Sequence, residues 1–191
     1  MKITREEILD TTLAMVNEKG TSANINLREI ARRLDCAHTN LYNYYPSFDG
    51  LLWDAHGAAL ERMLHAVTSA PAKGGMEKAL SSFYSAFLGF YLTNRGLFSL
   101  LWQDTLSGDR PETHRAEAEE KVRLLVDHLS EIYEGAVGRN RLHDALHRVH
   151  CYLHGEVSIF IHGRGLIRDE PKFRAYVVEQ CVMMTRLFAG K

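Results

Sequence analysis

The chain has 191 residues, of which 46% are hydrophobic, and this is enough apolar material for a substantial core. Its length fits one large domain or a small domain fused to a larger one. The formal net charge is −1, so bulk positive charge cannot attract nucleic acid, and any such binding needs a local arrangement of residues.

Cysteine usage and hydropathy limit the compartment. Cys36, Cys151 and Cys181 are far apart and odd in number. This argues against a disulfide framework or a cysteine-rich zinc site and favours a reducing compartment. The acidic N-terminus does not have the pattern of a signal peptide, and no run approaches the roughly 18 apolar residues of a membrane span. We therefore expect a cytoplasmic protein with no membrane partner.

Helical spacing of apolar residues runs along the whole chain, whereas strand signals are nearly absent. Thr4 and Glu7 form a capping-box pattern before the first helix, which ends at Gly20. The sequence therefore predicts an all-α protein of about nine helices. The predicted helices span about residues 4–20, 26–34, 38–44, 47–67, 76–93, 96–106, 113–135, 140–164 and 171–189.

The second and third helices are separated by a short turn at residues 35–37, and Pro46 stops the third. Such a pair is typical of a DNA-binding helix-turn-helix, whose second helix enters the major groove. Polar and aromatic side chains on that helix can contact base edges and phosphates. The candidates are His38, Thr39, Asn40, Tyr42, Asn43 and Tyr44. The alternative is a compact three-helix unit with an aromatic core.

Three segments of the N-terminal region resemble the DNA-binding signature of the tetracycline-repressor (TetR) family. They are residues 30–34, residues 41–47 and the leucine pair 51–52, and the match covers about residues 4–52. The resemblance implies a homodimeric repressor that binds double-stranded operator DNA. A small-molecule effector would release this repressor from a palindromic operator.

The same resemblance implies how the chain is divided. A helix-turn-helix DNA-binding domain would occupy residues 1–50, and an effector-binding and dimerisation domain would occupy residues 51–191. Within the first domain, Leu41 and one member of the Tyr44–Tyr45 pair would belong to the core. Not all of its tyrosines can then contact DNA.

The chain departs from the family pattern at three positions. Asp35 stands where a turn glycine is usual, Ala37 where a small polar cap is usual, and Phe48 where a phosphate-binding lysine is usual. Residues 1–50 contain six Lys and Arg against seven Asp and Glu. Since counterion release supplies much of protein–DNA affinity, we expect modest affinity per monomer and dependence on the dimer. The candidate phosphate contacts are Arg5, Arg28 and the tyrosines.

The last two long helices are the candidate dimer interface, because in TetR-like proteins they usually pair with their twins in a four-helix bundle. Apolar residues recur along both at helical spacing, and Gly155 would permit close helix approach. The candidate interface residues are Leu153, Gly155, Val157, Phe160, Val177, Cys181 and Met184. The alternative is that these residues pack the core of the monomer.

Aromatic residues concentrate between residues 83 and 102, where an apolar pocket with a few polar groups would suit a small effector. The candidate pocket residues are Phe87, Tyr91, Phe98, Trp102, His128, His150 and Tyr152. The alternative is a filled core, which a helical aromatic stripe forms more often than a cavity.

A ladder of histidines, His143, His147, His150 and His154, lies within about 60° on one helix face. Pairs spaced by four residues could hold zinc or a similar metal. Three arginines close by in the sequence disfavour a cation, so we interpret the ladder as interfacial or solvated and predict no metal. The competing hypothesis is a helical metal- or ligand-binding module whose helix-turn-helix no longer binds DNA.

Motifs of known catalytic chemistry are missing from the sequence. There is no glycine-rich phosphate loop, no G-x-S-x-G motif and no carboxylate pair of recognisable spacing. We therefore predict that the protein is not an enzyme and requires no cofactor.

Overall fold

The computed structural model describes residues 3–108 and 111–190. Within these residues the chain forms helices and no β-strand, which confirms the all-α prediction. The helices are α1 (Arg5–Lys19), a short 3-10 helix (Ser22–Asn24), α2 (Leu27–Arg33), α3 (His38–Leu41), α4 (Phe48–Thr68), α5 (Met76–Thr93), α6 (Arg95–Trp102), α7 (Glu112–Ile132), α8 (Arg139–Ile161) and α9 (Glu170–Ala189). None of these helices is long and apolar enough to cross a membrane. Asp109 and Arg110, in a predicted break between helices, lie outside the described residues.

Four helices, α3, α6, α7 and α8, end three or four residues earlier than the sequence predicts. For α3 and α6 a shared carbonyl explains the end. At the end of α3, the amides of Tyr44 and Tyr45 both donate to the carbonyl of Leu41, at 3.0 and 2.9 Å. At the end of α6, two successive amides both bond to the carbonyl of Ser99 at 2.8 Å. Each arrangement closes a tight final turn and redirects the chain.

The helices group into two compact units, and the first comprises Met1–Arg62 together with Asn94–Glu119. Its first three α-helices each bury one apolar side, and Ile8, Ile30 and Leu41 have no exposed surface. The expected capping box before α1 is present, since the Thr4 and Glu7 side chains each accept from the other's backbone amide. Pattern and cap thus agree on where α1 begins.

Helix α6 approaches α1 so closely that only glycine fits at the contact. A Cβ atom on Gly96 would lie 2.2 Å from the carbonyl oxygen of Val16 and 2.6 Å from the Cα of Asn17. The Gly96 amide donates to the side-chain oxygen of Asn17 at 3.1 Å. The backbone of α6 therefore packs directly on the helix that precedes the helix-turn-helix.

The carboxylate of Asp104 binds the loop between α1 and α2. It accepts hydrogen bonds from the Thr21 hydroxyl at 2.8 Å, from the Ser22 amide at 2.7 Å and from the Ser22 hydroxyl at 2.6 Å. Because it accepts from the Ser22 amide, this carboxylate caps the 3-10 helix from a distant part of the chain. The segment after α6 is therefore structurally part of the first unit.

The second unit comprises Met63–Thr93 together with Glu120–Lys191, and within it α9 packs against α8 and α5. Four aromatic side chains of α5 are almost completely buried in its core: Phe83, Tyr84, Phe87 and Tyr91. The Tyr84 hydroxyl lies 2.6 Å from the hydroxyl of Thr185. The boundaries of the two units do not coincide with residue 50, so the functional division there stays a prediction.

The tight contact at Gly96 predicts a specific instability. We expect Gly96→Ala to lower the free energy of unfolding by about 1–3 kcal/mol, because the added methyl group would force two backbones apart. Urea unfolding followed by circular dichroism measures this change. The control is Gly89→Ala, whose Cβ would meet only an arginine side chain at 3.7 Å; there we expect no loss, or a gain of up to about 1 kcal/mol. Equal effects of the two substitutions would contradict the packing argument.

Candidate nucleic-acid interface

Helix α2, the turn and α3 form a helix-turn-helix with the expected local signals. The Asn26 side chain accepts from the Glu29 amide at 3.1 Å and so caps α2. Asp35 adopts left-handed geometry with φ = 50°, as expected for the position of the usual turn glycine. Ala37 begins α3 without a side-chain hydrogen bond. The turn therefore has the required shape, although its residues provide weaker local support than glycine and a polar cap would.

The side chains of α3 and the following turn divide sharply between core and surface. Leu41 is completely buried, whereas Tyr42 is 50% exposed. The other residues predicted to contact bases are also exposed: His38, Thr39, Asn40 and Asn43. Burial of Leu41 therefore orients α3 so that its polar donors and acceptors face outward.

The two tyrosines after this surface are placed differently. Tyr45 is buried, so it is the core member of the pair that the resemblance implies. Tyr44 is half-buried, and its hydroxyl donates to the carbonyl of Ile3. Since this bond uses the only proton of the phenol, the prediction of Tyr44 as a phosphate contact is corrected: the side chain holds the start of the chain against the helix-turn-helix.

The two arginines predicted to contact phosphates, Arg5 and Arg28, differ in their surroundings. The Arg5 guanidinium forms an ion pair with Asp54 and lies 4.6 Å from the ring centroid of Tyr45, although most of its side chain is exposed. Arg28 is exposed and lines a groove of about 580 Å³ together with Arg32 and His38. Arg28 is therefore the better placed of the two for a phosphate.

Four acidic residues of the first unit form ion pairs with lysine or arginine. Arg33 forms a two-pronged pair with Glu18 at 2.5 and 2.6 Å, and Lys19 pairs with Glu29 at 3.0 Å. Two further carboxylates, in addition to these, pair with arginines of the same unit. Each pair joins one negative and one positive group, so pairing leaves the formal charge of residues 1–50 unchanged.

The residues predicted to line an effector pocket are divided between the two units. Phe98 and Trp102 belong to the first unit, where Phe98 is buried and Trp102 is partly exposed. The other five belong to the second unit, where Tyr152 is half-buried and the Phe87 and His150 rings lie 5.2 Å apart. His128 stacks on Phe83 at 5.7 Å, and burial lowers its pKa.

The histidine ladder is split between core and surface. His143 and His147 are exposed, whereas His150 and His154 are turned inward, with ring centroids 4.0 Å apart. Burial, reinforced by the neighbouring histidines, lowers the pKa of His150 to about 3, and burial lowers the pKa of His154 to about 4. Both rings are therefore neutral at physiological pH. Among the described residues, no group of three or more His, Cys, Asp or Glu could hold a metal.

Both inward histidines meet the hydroxyl of Tyr91. Its oxygen lies 2.9 Å from Nε2 of His150 and 3.4 Å from Nε2 of His154, and it donates to the sulfur of Met63 at 3.1 Å. Sequence reasoning found the histidine spacing and named Tyr91, but it did not include Met63. No local pattern links a methionine on α4 to a histidine pair on α8.

The predicted dimer residues lie mostly inside the chain. Four have no exposed surface and belong to the core of the second unit: Leu153, Val157, Val177 and Cys181. Of the remaining three, Phe160 and Met184 are half-buried and Gly155 is exposed. The choice of the four core residues is therefore corrected, because a side chain without surface cannot contact a second molecule.

Together these features define a helix-turn-helix protein. The second helix of the motif, α3, has a polar outer surface, and the chain contains a second helical unit. No family model matches the chain. An uncharacterised HTH-type transcriptional regulator of Haemophilus influenzae is 24% identical over 131 residues, which are 67% of this chain. The KstR transcriptional repressor of Mycolicibacterium smegmatis is 39% identical over 71 residues, or 37% of this chain. The matches span 62% and 34% of these relatives' own lengths.

Solved structures match far more of the chain. A TetR-family regulator from Streptomyces coelicolor superposes with a TM-score of 0.71 at 15% identity, covering 97% of this chain and 80% of that one. The TetR variant Q116A from Acinetobacter baumannii, in complex with minocycline, gives 0.66 at 19% identity, covering 98% and 97%. The protein therefore has the fold of the TetR-family regulators, the fold that the resemblance of residues 4–52 implies.

The left-handed residue in the turn provides a local test. We expect Asp35→Gly to raise the free energy of unfolding by about 1 kcal/mol, because glycine adopts this geometry without a Cβ penalty. Asp35→Val should lower it by a similar or larger amount, since β-branched residues rarely tolerate positive φ. Thermal unfolding of both variants measures the difference. Glu134, also at φ = 50°, is the matched position in the second unit. The same order of stability, glycine above valine, should be found there; the reverse order at residue 35 would refute the assigned turn.

Proposed function

We propose that this protein is a homodimeric transcriptional regulator that binds a palindromic operator through α3 and responds to a small-molecule effector. The observation that carries the proposal is the outward polar surface of α3 and its following turn beside the groove lined by Arg28 and Arg32. The helix-turn-helix regulators among its relatives, and the KstR repressors in particular, favour repression.

The side chains on this surface suit base recognition. Asn40 and Asn43 each carry an amide that can bond an adenine on two adjacent edge atoms, and the exposed Tyr42 ring can contact a thymine methyl group. Arg28 and Arg32 provide positive charge for the phosphates that flank the major groove. In this arrangement the first set selects the sequence and the second supplies affinity common to all sequences.

The two contributions can be separated experimentally. We expect selection from random double-stranded DNA at low salt to enrich a palindrome. On that site, Asn40→Ala should cost about 1–3 kcal/mol and relax the preference at one position of each half-site. Arg28→Ala should weaken all sequences similarly and reduce the salt dependence by about one counterion per subunit.

The control for these variants is Arg168→Ala, which removes an exposed arginine of the second unit and should leave both affinity and salt dependence unchanged. Failure to enrich any sequence at low salt would contradict the regulator proposal. That result would instead favour the helical metal- or ligand-binding module without DNA binding.

Exposed apolar residues on α8 and α9 support the proposal of a dimer contact through the outer sides of these helices. Four of the predicted dimer residues are buried and cannot take part. The proposed contact uses apolar side chains that are exposed on the two helices instead: Ile159, Tyr176, Met183 and Leu187. Exposed apolar residues on neighbouring helices are typical of a subunit interface. Gly155 lies on the same side of α8, with no atom within 4 Å of its Cβ position.

A matched pair of substitutions tests this contact. Ile159 is 46% exposed and Leu124, on α7, is 41% exposed. We expect Ile159→Asp to convert the dimer to a monomer, because a charge would be buried at the interface, and to weaken operator binding at least about tenfold. Leu124→Asp should change neither property. Light scattering and fluorescence anisotropy measure them; a dimer unaffected by Ile159→Asp would refute the assigned surface.

The proposal of an effector rests on the fold and on the polar groups within the second unit. The Acinetobacter protein was solved in complex with minocycline, so this fold can hold a small molecule. An effector would act by binding more tightly to one conformation of this regulator than to another.

A further inference from the structure

The loop that joins α8 to α9 carries a leucine that lies entirely in solvent. Leu166 is fully exposed, whereas the other exposed large apolar side chains of the described residues are 38–71% exposed. A single exposed leucine is common on protein surfaces, so the surroundings of Leu166 decide its meaning.

Both ends of this loop are fixed by local hydrogen bonds. Gly163 adopts left-handed geometry with φ = 65°, and the amides of Gly163 and Arg164 donate to the carbonyls of Phe160 and Ile159, each at 3.0 Å. This is the Schellman arrangement that ends a helix. At the other end, the Asp169 side chain caps α9 by accepting from a backbone amide at 3.0 Å. The loop therefore holds Leu166 on a short segment anchored at both ends.

A groove of about 360 Å³ lies beside Leu166, within the second unit. The rings of Phe160 and Phe173 stack in it, with centroids 4.1 Å apart and planes 14° apart. The groove is lined mainly by apolar side chains from the end of α8, the loop and the start of α9: Ile159, Phe160, Leu166, Ile167, Phe173 and Tyr176. The projecting leucine and the groove are therefore neighbours on one surface.

We propose that this loop docks onto a second copy of the chain, with Leu166 of each copy entering the groove of the other. This inference rests on the homodimer proposed above and names a contact that the dimer uses. In a two-fold dimer the same surface of both subunits meets, so each projection must face a hollow. A surface that carries Leu166 beside an apolar groove meets this requirement with itself, and the pairing closes after two copies.

The charges on the groove are also self-complementary. Glu156 and Arg164 both line it, so a two-fold pairing can place each opposite the other residue of the second copy. The groove shares Ile159 and Tyr176 with the exposed apolar side chains proposed above as the dimer contact. The loop therefore extends that surface and does not form a separate one.

The dissociation constant of the dimer, measured by analytical ultracentrifugation on the full chain, tests the docked loop. We expect Leu166→Asp to raise it at least about tenfold, because the carboxylate would be buried in the groove of the other copy. Since Leu166 lies in solvent in the single chain, this change should leave the fold intact. Leu166→Met keeps an apolar side chain of similar volume and should change the constant little. Leu124→Asp, the same charge at an exposed leucine of α7, should also have little effect.

A mixture of two variants tests the exchange between copies. We expect Arg164→Glu and Glu156→Arg each to weaken their own dimer, because like charges would then face one another. Mixing the two should restore binding, since a heterodimer forms two opposite-charge pairs. A mixture that binds no more tightly than either variant alone would count against the docked loop.

The outcomes separate this contact from the homodimer itself. If Ile159→Asp dissociates the dimer and Leu166→Asp does not, the docked loop is wrong and the homodimer stands. A wild-type chain that remains monomeric overturns both proposals. Circular dichroism shows whether each variant is folded, and Leu166→Asp keeps the test decisive if a change at the half-buried Glu156 disturbs the structure.

Discussion

The burial of Leu41 is the contact on which the helix-turn-helix depends. A helix as short as α3 has no stability of its own, because nucleation costs more than a single turn returns. Its orientation is set by packing Leu41 into the core, while the following turn buries Tyr45. Removing a buried leucine of this kind costs about 2–5 kcal/mol. Since base-reading side chains must be held rigidly, this one apolar contact decides whether the polar residues around it can act.

The first unit extends that support well beyond residue 50. The backbone contact of Gly96 with Val16, and the bonds that Asp104 accepts from the α1–α2 loop, place residues 94–104 against α1 and the loop that leads into the helix-turn-helix. The Gly96 contact leaves no room for a side chain, and the Asp104 carboxylate forms charge-assisted hydrogen bonds with the loop. Both contacts therefore fix the positions of the atoms that they join. A change in the position of α6 would therefore displace α1 directly. The residues that support the candidate DNA-binding surface therefore extend well beyond residues 4–52, which carry the sequence signature.

How far the sequence predicts the structure depends on the kind of information each residue carries. Local signals were sufficient for the Thr4 capping box, the left-handed Asp35 and the buried Leu41, because caps, turns and helical periodicity are short-range. Four of the seven predicted dimer residues are buried, for a physical reason. Periodicity identifies an apolar stripe, but Leu153 and Val177 are covered by their own chain and the pattern cannot say which molecule covers them. Met63 was missed because only tertiary packing brings it to Tyr91.

The polar cluster of Met63, Tyr91, His150 and His154 in the second unit depends on its internal hydrogen bonds. Burying phenol and imidazole groups is costly even when they bond to one another, and an apolar replacement of similar shape is often at least as stable. The Tyr91 hydroxyl has three close partners, yet a phenol has only one proton to donate. The phenol can donate this proton to the Met63 sulfur and accept an Nε2–H from each histidine, so all three contacts can be hydrogen bonds at once. Replacing any one of these groups by an apolar side chain would remove a bond that offsets part of the cost of burial.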